Sequence, residues 1–590
     1  MTMVQRPMDK WKDIPWKKIE REVFKLQKRI YQASQEGRVQ AVHKLQRLLM
    51  ASRGAKLLAT RRVTQDNAGK KTAGVDGVKA LNPNQRMKLS KTLRIGGKAS
   101  PLRRVWIPKP GTEEKRPLGI PTLQNRAVQA LGKLAMEPEW EAKFEGNSYG
   151  FRIGRSCHDA IAAIFTSISR DPKAVLDADI TKCFDRINHE ELLKKLGTYP
   201  ALRRQIKAWL RAGILDGETL FPTVEGTPQG GVISPLLANI ALHGLETEII
   251  EHFRRKGYKR LPTIIRYADD FVILHKDRKV IKECLEVASQ WLLKMGLELK
   301  PSKTRLAHTL EAEDGKVGFD FLGFHIRHHR VGKTRRCLDR MGRPVGTRAI
   351  IKPSKAAIKR HTQKLRETID GHRVARQEEL ILRLNQIIVG WANYYSTVVS
   401  KKVFSKLGHI LVEMLLAWGR RRHPNHNRHW IAAKYFRVEE GEGWTFGPRN
   451  SPCRLRKHSE TPIRRHVKVQ GTRSVYDGDW LYWSTRRGQD PLVSEGVARL
   501  LKKQKGCCSG CGLHFKDGDI LERDHIQPRR HGGTNQDRNR QLLHRHCHHQ
   551  KSAQDRKRGA HERSHAVEEP CDGKLSSTVL KPSPRGDRWA

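Results

Sequence analysis

The sequence predicts a multidomain α/β protein, and three observations support that fold class. The chain has 590 residues, enough for roughly three to five domains of the usual size. Apolar runs of strand type and of helix type alternate from about residue 173 to 330, and helical spacing dominates residues 354–418. A cluster of Cys and His residues at 507–547 adds a small module that a metal ion is expected to stabilise.

The charge of the chain indicates a nucleic acid as its partner. Lys and Arg number 115 against 61 Asp and Glu, a formal net charge of +54. A basic surface of this extent needs a polyanion. The alternatives are a solvated basic surface and a membrane-surface protein, but no lipid-anchor motif or amphipathic anchor is evident. The start has no apolar signal segment and no window approaches the ~18 apolar residues of a membrane helix, so we expect no membrane partner.

Basic helices and a hairpin precede the central region. Residues 1–60 have apolar residues at helical spacing among many basic ones, and we interpret them as an RNA-binding extension. Residues 61–125 read as rich in strands and turns. Their last part, RRVWIPKPGTEEKRPLGIP (103–121), has two short runs around a Gly-containing turn, which predicts a hairpin.

Two acidic strand ends lie in the central region. IIRYADDFVIL (264–274) predicts a hairpin whose tight turn carries Asp269 and Asp270. AVLDADI (174–180) predicts a strand on which Asp177 and Asp179 alternate with apolar residues and share one face. An Asp-Asp pair alone is usually a surface turn. Three carboxylates from two adjacent strands, however, suit two Mg²⁺ ions, because hard cations prefer oxygen ligands.

The surrounding blocks resemble the reverse transcriptase family. In order along the chain they are RPLGIPTLQNRAVQ (116–129), NSYGFRIGRSCHDAI (147–161), DADITKCFDRINH (177–189), GTPQGGVISPLLANIAL (226–242), YADD (267–270) and GFDFLGFHIR (318–327). The resemblance covers about residues 60–330. It implies a right-hand polymerase, with fingers and palm over residues 61–335.

The resemblance also assigns catalytic roles, residue by residue. It makes Asp179, Asp269 and Asp270 the ligands of two Mg²⁺ ions. Asp177 is then either a supporting carboxylate or turned to the other face. Lys303 is a candidate proton donor to the leaving pyrophosphate, with an ordinary surface lysine as the alternative.

A further set of residues is expected to bind the incoming nucleotide. The resemblance places Phe184 beneath the sugar, where a ring would clash with a 2′-hydroxyl and select dNTPs; ordinary core packing is the alternative. Lys109 and Arg116 flank the predicted hairpin and could hold the triphosphate, since charge-assisted contacts to phosphate favour Lys and Arg. Gln229 and Gly230 match the family's template- and nucleotide-facing turn.

The helical segment after the central region resembles the thumb and maturase region of group II intron reverse transcriptases. The resemblance rests on LNQIIVGWANYYSTV (384–398) and AWGRRRHPNHNRHWIAAKYF (417–436), and we assign residues 336–437 to this domain. We expect its arginines, Arg420, Arg421 and Arg422, to contact RNA, with Trp430 and Tyr435 as stacking rings. For the other aromatic residues, Trp391, Tyr394, Tyr395 and Trp418, core packing is favoured.

The Cys/His module predicts a structural zinc site. Cys508 and Cys511 form a C-x2-C pair, and His544 and Cys547 form an H-x2-C pair, which together suit tetrahedral Zn²⁺. Cys507 is an alternative to Cys508, although the C-x2-C spacing favours Cys508.

The same module resembles the HNH nuclease family, through RDHIQPRRHGGT (523–534) followed by Asn539 and His548. The resemblance implies a ββα-metal fold with one Mg²⁺ ion. In that scheme His525 is the general base that activates water, Asp524 and His548 are metal ligands, and Asn539 orients His525 through a hydrogen bond. A zinc knuckle that only binds nucleic acid is the alternative.

Taken together, these segments resemble a mobile group II intron-encoded protein. The resemblance implies a polymerase that uses dNTPs, a stable ribonucleoprotein with the intron RNA, and a nuclease that nicks double-stranded target DNA. We assign residues 438–500 to a DNA-binding linker region, 501–555 to the nuclease and 556–590 to a disordered tail. We expect a cytoplasmic protein of bacterial type, associated with the nucleoid. The alternatives are a non-intron reverse transcriptase with a fused nuclease and a splicing factor with an inactive polymerase.

Overall fold

The structure, a computed structural model, describes residues 10–96, 98–108, 113–331, 337–338, 344–439, 443–515 and 519–565. The chain divides into two compact units, residues 1–507 with 513–518 and residues 508–512 with 519–590. The mixed α/β character predicted from the sequence is confirmed. Among the helices of the described ranges, none combines the length and apolar character that crossing a membrane requires.

The first unit opens with helices. The predicted basic N-terminal helices are confirmed, and a fourth helix falls in the segment that we expected to contain strands and turns. The helices are α1 (Trp16–Gln35), α2 (Val39–Ala51), α3 (Arg53–Arg61) and α4 (Pro83–Thr92). The fourth helix is fixed by a capping box, because the Asn82 side chain accepts from the Gln85 amide while the Gln85 side chain accepts from the Asn82 amide. The expectation for this stretch was therefore wrong at α4.

Strands and helices then alternate through the middle of the unit, as predicted. In chain order the elements are β1 (Leu102–Pro108), β2 (Lys115–Ile120), α5 (Leu123–Lys143), α6 (Cys157–Ile168), β3 (Ala174–Asp179), α7 (Cys183–Arg186), α8 (His189–Leu196), α9 (Pro200–Leu210), β4 (Ile214–Asp216), β5 (Thr219–Phe221), α10 (Ser234–Leu242), α11 (Leu245–Arg255), β6 (Thr263–Tyr267), β7 (Asp270–His275), α12 (Arg278–Lys294) and β8 (Arg305–His308). The predicted hairpins β1–β2 and β6–β7 are both confirmed.

The rest of the unit is strand-rich at first and then helical. Its elements are β9 (Ala312–Glu313), β10 (Lys316–Val317), β11 (Phe319–Phe321), β12 (Phe324–Arg330), β13 (Cys337–Leu338), β14 (Pro344–Val345), β15 (Thr347–Pro353), α13 (Lys355–Gly371), α14 (Gln377–Tyr395), α15 (Lys401–Arg422), α16 (Arg428–Tyr435), β16 (Phe436–Glu439), β17 (Gly443–Phe446), α17 (Trp480–Gly488) and α18 (Glu495–Lys503).

A central antiparallel sheet in the order β6-β7-β3-β8 positions the acidic strand ends. Both faces of this sheet are covered. Leu176 and Ile273 belong to a core formed with the N-terminal helices and α8–α12, whereas Val175 and Val272 belong to a second core with α6, β11, β12 and β15. Burial on both faces explains why the strands read as continuous apolar runs.

A second sheet has the order β2-β1-β4-β5. The turn at Gln229 and Gly230 lies against it, because the amide of Gly119 on β2 donates to the carbonyl of Gln229 at 2.7 Å. Gly230 has φ +117°, and a Cβ there would lie 2.8 Å from the carbonyl oxygen of Gly119. Only glycine permits this close approach of turn and strand.

Helices α13–α16 with β16 and β17 form a core of their own. Trp418 and Tyr395 are buried, as predicted for these aromatic residues, and Tyr394 and Trp391 are partly buried against the neighbouring core. Tyr435 is also buried, and its hydroxyl forms a hydrogen bond of 2.8 Å with His423 Nε2. The expectation that Tyr435 stacks on RNA is therefore wrong.

The segment expected to be a linker is packed against the rest of the first unit. Residues 464–486, called the strap below, place Tyr476 and Trp483 in a cluster with Tyr31 of α1. Buried Asp159, in α6, accepts from the strap's amide of Val469 at 2.9 Å. The same carboxylate forms an ion pair with the strap's Arg486 and lies 3.2 Å from Nε2 of His466. The strap is thereby fixed to α1 and α6.

The second unit contains a hairpin and a helix, β18 (Leu521–His525), β19 (Arg540–His544) and α19 (Arg545–His565). The two strands pair antiparallel, with Asp524 opposite Gln541. Helix α19 continues into the segment that we expected to be disordered from residue 556; residues 566–590 lie outside the described residues.

Candidate active sites and metal centre

Three carboxylates meet at one end of the central sheet. The register of β3 and β7 places Asp179 directly opposite Asp270. Asp269 lies in the two-residue turn between β6 and β7, next to Ala268, whose φ of 59° makes the turn tight. All three carboxylates are partly buried. The structure thus brings together the residues that the sequence predicted, and we call them the carboxylate triad.

Burial and mutual repulsion make the triad a strong site for cations. Burial, and then the charges of Asp269 and Asp179, together raise the pKa of Asp270 to about 7, against the opposing charge of Lys303. The pKa of Asp269 is also raised, first by burial. The ammonium of Lys303 offsets part of this charge, because its Nζ lies 2.5 Å from Asp179 Oδ2. That hydrogen bond raises the pKa of Lys303.

The donor set fits divalent cations that prefer oxygen. Three carboxylates on two adjacent strands and their turn supply only oxygen atoms, which Mg²⁺ favours. Their repulsion at close range is the electrostatic condition that a bound cation relieves. The residues present therefore fit the metals that the sequence analysis expected.

Asp177 supports the triad from the same face of β3. Its Oδ2 lies 3.3 Å from Nε of Arg305 on the neighbouring strand β8. Burial raises the pKa of Asp177 to about 6, although Arg305 opposes that shift. Of the two alternatives left open by the sequence, the structure favours a supporting carboxylate already paired with an arginine.

A buried network that the sequence analysis missed holds the triad's turn. Arg266, on β6, is buried, and its Nη1 donates to the carbonyl of Ala268 and to Asn239 Oδ1, both at 3.2 Å. Asn239 in turn donates to the carbonyl of Gly150 at 2.7 Å. A Cβ on Gly150 would lie 2.3 Å from the Ala268 amide nitrogen. The signal in the sequence was an arginine inside the apolar run IIRYADDFVIL.

Two of the predicted nucleotide-binding residues have contacts or charges that place them towards this end of the sheet. Gln229 Nε2 lies 3.3 Å from Asp185 Oδ1. Arg116 is exposed on β2, close enough to Asp269 for its charge to lower the pKa of that carboxyl against the effect of burial. Lys109 lies outside the described residues.

Phe184 is only partly buried and packs at the edge of the first core. Its ring meets that of Phe151 edge-to-face, with centroids 6.0 Å apart. Phe151 is 47% exposed and has φ 59°, so it is a second ring at this position that the sequence analysis did not identify. The structure supports both readings of Phe184, since the ring touches the core and remains accessible.

The three arginines at the end of α15 differ in their surroundings. Arg421 donates to Asp370 Oδ1 at 2.6 Å. Arg422 donates to the carbonyls of Arg373 and Ala375, both at 2.9 Å. Both therefore fasten the connection between α13 and α14, whereas Arg420 is exposed and has no such contact among the residues that the structure describes. Contact of these arginines with RNA stays a prediction.

The predicted zinc ligands converge in the second unit. One ligand atom from each of Cys508, Cys511, His544 and Cys547 lies within 4.8 Å of the others, and all four residues are buried. Three thiols and one imidazole are the donor set that tetrahedral Zn²⁺ prefers. Asp519 Oδ2 lies 3.3 Å from His544 Nε2, the position from which a carboxylate orients a metal-binding imidazole; the sequence analysis missed it.

Two further predicted ligands approach each other on the hairpin and helix of the second unit. Asp524 Oδ1 lies 3.6 Å from His548 Nε2. The ammonium of Lys551 lies 3.1 Å from Asp524 Oδ2, and Nε2 of the Gln541 side chain donates to the same oxygen at 3.0 Å. Imidazole and carboxylate at this separation fit one divalent cation.

The expected partner of His525 is wrong. Asn539 contacts the loop instead: its Oδ1 accepts from the Gln527 amide at 2.9 Å, and its Nδ2 donates to the carbonyls of Gln527 and Thr534. His525 Nε2 lies 2.9 Å from Asn535 Oδ1. Both asparagines follow the Gly-Gly turn, and the tight loop that Asn539 closes is what brings Asn535, rather than Asn539, to the imidazole.

Comparison with known families divides the chain in the same order. The N-terminal domain of reverse transcriptase matches residues 11–93, and reverse transcriptase (RNA-dependent DNA polymerase) matches residues 107–326. The group II intron, maturase-specific domain matches residues 358–436. HNH endonuclease matches residues 508–554.

Individual relatives are similar over about half of the chain. Protein YkfC of Escherichia coli (strain K12) is 33% identical over 341 residues, which are 50% of this chain and 86% of that protein. Group II intron-encoded protein LtrA of Lactococcus lactis subsp. cremoris is 29% identical over 46% of this chain and 54% of its own length. Maturase-like protein 1 of Euglena gracilis is 30% identical over 53% of this chain and 64% of its own length.

Proposed function

The chain belongs to the group II intron-encoded proteins, with reverse transcriptase, maturase and HNH endonuclease domains, and from that premise we propose that the carboxylate triad is the polymerase centre of a mobile intron. The observation that carries the proposal is the register of β3 and β7, which places Asp179 opposite Asp270 beside the turn that holds Asp269. Loss of any one carboxylate would break this set.

The proposed architecture follows the right hand of a polymerase. The sheet β2-β1-β4-β5 is assigned to the fingers, the sheet β6-β7-β3-β8 to the palm, and helices α13–α16 to the thumb. Domain limits follow the sequence analysis: fingers and palm over residues 61–335, thumb over 336–437 and nuclease over 501–555. The maturase-specific match at residues 358–436 supports the assignment of the thumb.

At the polymerase centre, Asp179, Asp269 and Asp270 would hold two divalent ions. Bound there, such ions lower the barrier to attack by the primer hydroxyl and stabilise the charge on the leaving pyrophosphate. Lys303, protonated because its hydrogen bond to Asp179 raises its pKa, is placed to give a proton to that leaving group.

Selection of the nucleotide is assigned to groups around the triad. Arg116, exposed beside Asp269, orients the triphosphate through charge-assisted hydrogen bonds. Gln229 and Gly230 form a turn against β2 that contacts the template and the nucleotide. Phe184 lies beneath the sugar, where its ring excludes a 2′-hydroxyl and selects dNTPs. The ring of Phe151, whose centroid lies 6.0 Å from that of Phe184, limits how far the Phe184 ring can move away from the sugar.

In the second unit we assign cleavage of DNA to His525. As a general base it takes a proton from the attacking water, and Asn535 holds its imidazole from the other side. Asp524 and His548 would hold one divalent ion beside the scissile phosphate. Cys508, Cys511, His544 and Cys547 would hold a structural zinc ion that fixes the strands carrying these groups.

The order of events follows from these parts. The maturase domain binds the intron RNA, and the ribonucleoprotein inserts that RNA into one strand of double-stranded DNA. The HNH domain nicks the other strand and leaves a 3′-hydroxyl. The palm then extends this hydroxyl with the inserted RNA as its template. One chain therefore supplies both the primer end and its extension.

Two observations argue against the alternative functions. A reverse transcriptase unconnected with introns would not be expected to carry the maturase-specific segment at residues 358–436. A splicing factor with an inactive polymerase would be expected to lose a carboxylate of the triad, whereas Asp179 and Asp270 lie directly opposite each other.

A pair of substitutions separates the two activities. Asp269→Ala is expected to abolish primer extension on an RNA template while nicking of target DNA and RNA binding persist, because only the triad is broken. His525→Ala is expected to abolish nicking while extension from a pre-nicked target persists. Asp314→Asn, in the exposed turn between β9 and β10, is the control, because asparagine tolerates the positive φ of 49° at this position. Loss of both activities in either variant, with folding intact, would contradict the division of labour.

A further inference from the structure

A cavity of about 610 Å³ lies at the end of the central sheet that is opposite the carboxylate triad. It is lined by the C-terminal end of α6, by the residues that lead into β3 and β6, and by His275 and Lys276 at the end of β7. Its volume is within the range of about 300–1,000 Å³ of pockets that take small organic ligands. A nucleotide-sized group can therefore enter it.

The cavity is separate from the polymerase centre. Strand β3 runs from Ala174, beside the cavity, to Asp179 in the triad, five steps of ~3.3 Å and so roughly 17 Å. The Debye length at physiological ionic strength is only ~8 Å. A group bound in the cavity is thus neither the reacting nucleotide nor strongly repelled by the triad.

The lining is positively charged. The lining contains a single carboxylate, that of Asp171, and four cationic side chains: Arg170, Lys173, Arg260 and Lys276. Lys276 Nζ lies 2.7 Å from Asp171 Oδ2, and Lys173 Nζ donates to Ser167 Oγ at 3.0 Å. For the guanidiniums of Arg170 and Arg260, no hydrogen bond or ion pair exists among the described residues. Two cations with their donors free therefore border a cavity with an excess of positive charge.

Three carbonyl groups near this cavity already have hydrogen-bond partners in the protein. At the end of α6, the carbonyl of Ile168 lies 3.1 Å from Nε2 of His328, and that of Thr166 accepts from Ser169 Oγ at 3.1 Å. The carbonyl of Arg260 lies 3.2 Å from His275 Nε2. An anion in the cavity would therefore meet mainly donors and cations, a condition that favours phosphate over neutral ligands.

We propose that this cavity binds backbone phosphates of RNA, with Arg170 and Arg260 as the two principal donors. The inference rests on the proposed function, because the maturase domain makes RNA the partner long enough to reach the cavity and the palm together. Lys173 and Lys276 set the positive potential, and each already has one partner in the protein. The cavity thereby serves as an anchor for the bound RNA about 17 Å from the reacting atoms.

The test compares two pairs of substitutions that remove the same charge. Arg170→Gln with Arg260→Gln removes the two free donors, and Lys88→Gln with Lys282→Gln removes two exposed lysines of α4 and α12. The probes are the RNA that co-purifies with the chain, transcribed in vitro, and a single-stranded DNA of the same sequence. Affinity is measured over a series of KCl concentrations, and folding is checked by thermal unfolding.

The arginine pair is expected to lower the slope of log affinity against log salt by about 1.4–1.8 for RNA, since each lost phosphate contact removes about 0.7–0.9. If the two lines meet at 1 M salt, this difference in slope is roughly a 14- to 30-fold loss of affinity at 0.15 M salt. The lysine pair should leave the slope unchanged. An unchanged slope for the arginine pair, an equal change for the lysine pair, or an equal loss with the DNA probe would each overturn the proposal.

Extension of a short oligonucleotide primer on an RNA template separates this proposal from the proposed function. If both the wild-type chain and the arginine pair extend the primer, and the arginine pair leaves the slope of log RNA affinity against log salt unchanged, only the proposal that the cavity binds RNA is refuted. Absence of extension in the wild-type chain would refute the polymerase assignment instead.

Discussion

Replacement of Arg266 by Met is expected to disable the carboxylate triad without replacing any of its three residues. Arg266 Nη1 holds the carbonyl of Ala268 and the amide oxygen of Asn239, both at 3.2 Å. Methionine fills much of the same space but donates nothing. The turn that presents Asp269 then loses its only described side-chain donor, and the buried carbonyl of Ala268 loses its partner.

The size of the effect follows from these contacts. A hydrogen bond from a charged donor contributes about 1.5–3 kcal/mol, which is roughly a 10- to 150-fold change in the population of the correctly placed turn. A misplacement of about 1 Å at reacting atoms can itself cost about 100-fold in rate. We therefore expect the rate of primer extension to fall by roughly 10- to 150-fold, and the Mg²⁺ concentration for half-maximal rate to rise.

The assay is steady-state primer extension over a series of Mg²⁺ concentrations, with primer–template affinity measured separately. Arg152→Met is the matched control, because Arg152 is equally buried but binds Glu141 at 2.8 Å and does not reach the turn. This control is expected to lower stability while leaving the Mg²⁺ dependence unchanged. An Arg266→Met enzyme with normal Mg²⁺ dependence, or an identical change in both variants, would refute the account of the turn.

Four further predictions concern other parts of the chain. Asp519→Asn should weaken zinc binding by about 10- to 100-fold, measured by competition with a chelator, while primer extension is unchanged; unaltered affinity would mean that the carboxylate does not support the zinc-binding imidazole. Asn535→Ala should slow DNA nicking more than it alters the thermal stability of the second unit, whereas Asn539→Ala should do the reverse, and the opposite ranking would restore the partner expected from the sequence. Phe184→Ala should allow incorporation of ribonucleotides, and unchanged discrimination between the two sugars would assign the ring to core packing. Burial lowers the pKa of His458 to about 4, well below the ~6.5 of an unfolded imidazole. The unfolded state therefore binds more protons, and stability should be lost as pH falls from about 6.5 towards 4. His458→Gln should flatten this pH dependence of the unfolding temperature, and an equally steep loss in that variant would contradict the prediction.

The sequence predicted the central sheet well because its pattern is local. The apolar runs around Asp179 and Asp269 could form only short buried strands, and the acidic residues at their ends were visible without any tertiary information. The capping box at Asn82 and Gln85 was equally local, and α4 could have been predicted from it.

Tertiary contacts decided what the sequence did not reveal. The strap reads as a polar linker, yet a single buried carboxylate, Asp159, accepts from the amide of Val469 and lies within hydrogen-bond distance of the strap's His466 and Arg486. Burial would by itself raise the pKa of Asp159, but those partners bring it down to about 2. Sequence spacing likewise could not distinguish Asn535 from Asn539, because loop closure determines which side chain reaches His525.

The measurement that tests the central claim most directly is to purify the chain from its own cells in mild salt and sequence the RNA that stays bound. The account predicts one large structured RNA whose ends flank the reading frame of this protein. A heterogeneous pool, or a short unrelated RNA, would contradict the intron assignment and leave a polymerase and a nuclease that serve another reverse-transcriptase system.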